Sequence, residues 1–104
     1  MEDKDYPVEH FRRMVRLAED LRTVPAQIME HAYHHEAFGS WVTTVGRRGR
    51  LFRIVFDGKE REVRLERATT TGDTRRWGEV GSSAATGPSD AQAIAEMVDR
   101  LKEV

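Results

Sequence analysis

The stretch from Leu51 to Arg67 constrains the fold more than any other. It reads Leu-Phe-Arg-Ile-Val-Phe, then Asp57-Gly58, then Lys-Glu-Arg-Glu-Val-Arg-Leu-Glu-Arg. Alternating apolar and polar residues on both sides of an Asp-Gly pair mark a β-hairpin, because both central residues of a type I′ turn take positive φ. Phe52, Ile54 and Phe56 then share one face of the first strand, and Val63 and Leu65 one face of the second. Only an even-length loop puts the two sets on the same side. With Asp57 and Gly58 alone as the loop, Phe52 stands opposite Val63 and Arg53 opposite Glu62. A four-residue loop would set Arg53 against Arg64, which like-charge repulsion disfavours.

Around this ribbon the flanks read as helices and further strands. Met1 to Asp5 is an acidic opening expected to fray. From about residue 8 to 22, Val8, Phe11, Met14, Val15, Ala18 and Leu21 recur at helical spacing, with Asp5 as a cap and Pro7 in the first turn. Thr23 and Pro25 interrupt that pattern. A second helix is predicted over about 25–36, with Ile28, Met29, Ala32 and Tyr33 as its apolar set and Gly39 ending it. Trp41, Thr43 and Val45 alternate with Val42 and Thr44 in a strand over about 41–46. If Gly46 to Gly49 turns the chain, Val45 pairs with Arg50 and Thr43 with Phe52. Residues 76–82 form a weaker candidate strand, because Gly78 and Gly81 interrupt it. Ser89 and Gln92 make a capping box for a last helix over about 90–103, whose stripe is Ile94, Met97, Val98, Leu101 and Val104.

Composition narrows the class. A chain of 104 residues without cysteine is read as one domain, with no disulfide framework and no thiolate site. No charged-then-apolar leader opens it and no apolar run approaches a membrane span, so a cytoplasmic protein is the expectation. Net charge is −1, but unevenly spread: residues 1–46 carry 5 basic and 8 acidic side chains, residues 47–76 carry 10 and 5, and residues 77–104 carry 2 and 5. A basic centre between acidic flanks fits either internal complementarity or a polyanion surface.

Three groups of residues are candidates for function. Val42, Leu51 and Val55 fall together on the second sheet face, making it half apolar and suited to a protein partner or to self-association. Arg47, Arg48 and Arg50 on a glycine-flanked turn, with Arg75 and Arg76, could straddle the phosphates of a nucleic acid, and Trp77 could stack on a base. His31 and His35, one helical turn apart, could hold a divalent metal; zinc sites also need a third protein ligand. No activated nucleophile, phosphate-cradling glycine loop or catalytic carboxylate pair occurs at recognised spacing, and no cofactor is implied.

The order helix, three strands, helix over about residues 25–104 resembles that of the double-stranded-RNA-binding domain. That family holds phosphates with lysines at the start of its last helix, where this chain has Pro88, Ser89 and Asp90.

The expectation is therefore a single α+β domain. An antiparallel sheet of three or four strands (about 41–46, 50–56, 59–67 and 76–82) carries the N-terminal helices (about 8–22 and 25–36) and the C-terminal helix (about 90–103) on the face bearing Trp41, Phe52, Ile54, Phe56, Val63 and Leu65. Its expected role is that of a small non-enzymatic interaction module, with polyanion binding as the alternative.

Overall fold

The computed structural model describes residues 2–34, 36–85 and 91–104, the side chains of residues 2–10 and 13 excepted. The chain runs α1 (Glu2–Leu21), β1 (Gln27–His34), β2 (Ser40–Arg47), β3 (Arg50–Asp57), β4 (Glu62–Thr71), β5 (Thr74–Ala84) and α2 (Ala91–Glu103). It is an α+β fold whose five strands form an antiparallel meander in chain order. No helix among the described residues is long and apolar enough to cross a membrane.

The expected core face is the observed one. Trp41, Phe52, Ile54, Phe56, Val63 and Leu65 are buried, joined by Val45 and by Ile94, Met97, Val98 and Leu101 of α2. Strand alternation explains why: β2 and β3 bury every second residue, so one face meets the helices and the other stays open. α2 packs on β4 and β5, and α1 meets the fold chiefly through α2.

Both hairpin registers differ from the expected ones by an even number of residues, which leaves each side chain on its expected face. The tight type I′ turn is not at Asp57-Gly58 but at Arg48-Gly49, where φ is 52° and 77° and Arg47 pairs with Arg50. At the other reversal Asp57 pairs with Glu62, so the loop is residues 58–61, with Arg61 at φ 55°. Asp57 there accepts from the Lys59 and Glu60 backbone N–H groups, both at 3.0 Å, and the observed register sets Arg53 opposite Glu66. The aspartate thus organises a four-residue loop, the length disfavoured above; it lies one residue later than that argument assumed, so Arg53 meets Glu66 rather than Glu62 or Arg64.

The second expected helix does not form. Residues 27–34 are instead an edge strand, β1, which pairs with β2 through a bulge between Ile28 and Glu30. Tyr33 faces Trp41, His31 faces Thr43 and Ile28 faces Val45, so the spacing read as helical is that of a bulged strand. Gly39, expected to end a helix, takes φ 74° in the β1–β2 hairpin loop. With a strand in place of that helix and five strands in all, the element order of the double-stranded-RNA-binding domain is not present.

Other boundaries shift less. The weak strand at 76–82 is the long β5, and the sheet has five strands rather than three or four. α1 begins at Glu2, which makes Asp5 and Pro7 interior positions rather than a cap and a first turn. Its packed face is carried by Leu17 and Leu21, whereas Phe11 and Val15 are 68% and 44% exposed. Ser89 of the expected capping box lies outside the described residues; α2 itself is as read from the stripe.

Candidate polyanion-binding end and the open sheet face

In a meander, successive turns alternate between the two ends of the sheet. The β1–β2 and β3–β4 loops meet at one end, where the Gly58 N–H donates to Ser40 Oγ at 2.8 Å. The β2–β3 turn at Arg48-Gly49 and the β4–β5 turn at Gly72-Asp73 therefore share the opposite end. All five arginines singled out in the sequence gather there, from two segments separated by more than a strand.

Register makes the grouping tighter. Arg47 is opposite Arg50, Thr69 is opposite Arg76, and Phe52 is opposite Arg67. Continuing the β3–β4 register two residues past Phe52 brings Arg50 level with Thr69, and both line one hollow of about 330 Å³ with Arg67 and Ala68. Arg47, Arg50, Arg67 and Arg76 thus share the helix-side face, Arg48 caps the turn and Arg75 points by alternation to the other side. Arg67 belongs to this group and was missed, because its membership depends on the β3–β4 register. None of these arginines forms an ion pair among the described residues. Asp73 stands in the β4–β5 turn at this end, beside Arg75 and Arg76 in the chain.

Arg47 is not one of the exposed arginines expected. It is 4% exposed, and its Nη2 donates to the Lys102 carbonyl at 2.9 Å, where the last turn of α2 leaves acceptors unmatched. Arg48, Arg50, Arg75 and Arg76 are exposed.

The open face behaves differently. Val42 and Val55 are cross-strand partners, with Ala32 on the far side of Val42, and Leu51 lies opposite Gly46 beside Met29. Val42, Leu51 and Val55 are therefore on one face and half-buried, and among the described residues no helix packs over them. Between them the charges pair with one another. Arg53 binds Glu66, and Arg64 reaches Glu62 at 3.2 Å, Glu66 at 3.5 Å and Asp57 at 3.6 Å. Trp77 lies on this face opposite Ala68, with the Arg53 guanidinium 4.4 Å over its ring, so one side of its stacking surface is taken.

The histidine pair has lost its geometry. His31 is on β1, where its Nδ1 is 2.7 Å from Thr43 Oγ1 and its ring 6.1 Å from Trp41, and partial burial lowers its pKa. His35 lies outside the described residues, and the helical turn that would have set it beside His31 does not exist. Among the described residues no three His, Asp or Glu side chains are placed to hold a metal.

No family model, no curated protein and no solved structure matches this chain.

Proposed function

We propose that the protein is a binding module whose arginine end takes the phosphate backbone of a nucleic acid. The observation that carries this reading is the contrast between the two arginine populations. Arg53 and Arg64 on the open face are matched by carboxylates, whereas Arg48, Arg50, Arg67, Arg75 and Arg76 share one end without a matching acid among the described residues. Guanidinium forks suit phosphate oxygens geometrically and are costly to crowd together unless an anion offsets them. The contacts are with the backbone, so the expected binding is weakly selective for sequence.

Fluorescence anisotropy with labelled RNA and DNA tests this. Engagement of about four phosphates gives a log–log salt slope near −3.6 on duplex DNA. Arg75→Ala with Arg76→Ala should shallow that slope by about 2. No binding at low salt, or binding indifferent to salt, would end the proposal.

A second reading is favoured by the uncovered row Ala32, Val42, Val55 and by Leu51: this face docks another polypeptide or a second copy of the chain. Light scattering that finds a dimer, dissociated by Val55→Glu, would support self-association. A monomer at every concentration would remove self-association.

A further inference from the structure

Trp77 presents the one indole that a ligand can reach. The chain has two tryptophans. Trp41 is fully enclosed in the core, whereas Trp77 stands half-buried on the open face of the sheet. Its cross-strand neighbour on β4 is Ala68, a side chain small enough to let the ring lean across that strand, and the ring meets the Arg53 guanidinium of β3, two strands away. Arg53 is itself tied to Glu66. The indole is thereby backed on one side by a group fixed to the sheet, a support that any side chain of that length provides. Among the described residues the ring has no second aromatic or cationic neighbour, and its Nε1–H has no acceptor.

Charge along β5 changes sign across this residue. Arg75, two residues before Trp77 and so on the same face about 7 Å away, is exposed and leads to the arginine end. Glu79, two residues after it, is also exposed and lies opposite Glu66. An anionic chain seated on the indole is drawn toward Arg75 and away from Glu79.

We propose that Trp77 stacks a base of a single-stranded nucleic acid whose phosphates run over Arg75 to the arginine end. The inference rests on the phosphate-backbone reading above and narrows its ligand. A base offers its π-face to an indole only where its own neighbours do not cover it, so an unpaired strand can use Trp77 and a stacked duplex cannot. Every base has such a face, and RNA and DNA strands share this chemistry.

Intrinsic fluorescence tests the proposal, because enclosed Trp41 stays silent and quenching reports Trp77. Single-stranded oligouridylate and oligothymidylate should quench it saturably, and a duplex of equal length should bind without quenching. Trp77→Ala should weaken single-strand binding about ten-fold, the size of one stacked base, and leave duplex binding unchanged. Trp77→Phe, which keeps a ring on the sheet, should recover most of that loss. Equal quenching by the duplex, or a single-strand affinity unchanged in Trp77→Ala, would overturn the proposal. Single strands that bind by anisotropy while Trp77 emission stays fixed would also overturn it and leave the phosphate-backbone reading standing. Absence of binding by strand and duplex alike at low salt would remove both.

Discussion

A methyl group on Gly58 would stand 2.0 Å from the Phe38 carbonyl oxygen, whereas one on Gly78 would meet nothing within 4 Å. Gly58→Ala should therefore cost about 1 to 3 kcal/mol of stability as the two loops are pushed apart. Gly78→Ala should be neutral or gain up to about 1 kcal/mol through the unfolded chain. Urea denaturation of both variants checks the difference. Asp57-Gly58 was legible as a reversal, but its glycine is needed for the close approach of a loop two strands away, which no local pattern encodes. Phe52 is fully enclosed, and Phe52→Ala should cost about 3 to 5 kcal/mol by the same measurement. His31 titrates below its ordinary value because burial penalises its charged form. The folded state then binds fewer protons than the unfolded one, so this contribution is complete above the unfolded pKa near 6.5 and is lost as pH falls through the lower folded value. His31→Gln should flatten stability across that window, measured as melting temperature against pH.

β1 shows how an element can be misassigned when its pattern is locally ambiguous. Ile28, Met29, Ala32 and Tyr33 match helical spacing, yet a bulge between Ile28 and Glu30 in an edge strand produces the same spacing. As an edge strand β1 buries little, so hydrophobic alternation is faint, and pairing with β2 decides the matter. The α2 stripe was legible because four of its five apolar positions, Ile94, Met97, Val98 and Leu101, are buried. In α1 the apolar residues outnumber the places available: Leu17 and Leu21 pack while Phe11 and Val15 face outward, since the helix meets the fold chiefly through α2. That packing makes α1 a low-stability unit. Hydrogen exchange should find α1 amides opening well before those of β2 and β3, a difference readable by mass spectrometry.

At the scale of the molecule, Arg53 and Arg64 are ion-paired on the open face, whereas the arginines of the far end form no ion pair among the described residues, and the two groups should separate experimentally. Arg53→Met removes a partly exposed pair with Glu66. It should cost about 1 kcal/mol or less in denaturation and leave polynucleotide affinity unchanged. Arg75→Ala with Arg76→Ala should leave stability within about 0.5 kcal/mol while weakening polynucleotide binding. Equal effects of the two variants on binding would mean that the arginine end has no special role. The basic middle of the chain was visible in composition; that Arg53 and Arg64 pair with carboxylates on the open face while Arg48, Arg50, Arg67, Arg75 and Arg76 gather at one end was not.

From its own pattern the chain determined the α+β class, the apolar ribbon face, the C-terminal helix and the even parity that put Val42, Leu51 and Val55 on one side. These follow from alternation and periodicity, which are local and survive an even register shift. Which residues form the tight turn, whether residues 27–34 coil or extend, and which arginines stand together were decided only by strand pairing. Pairing sums backbone hydrogen bonds and cross-strand contacts over distant segments, and so Arg47 came to close a helix 55 residues away while Arg67, unremarkable in sequence, joined the arginine end.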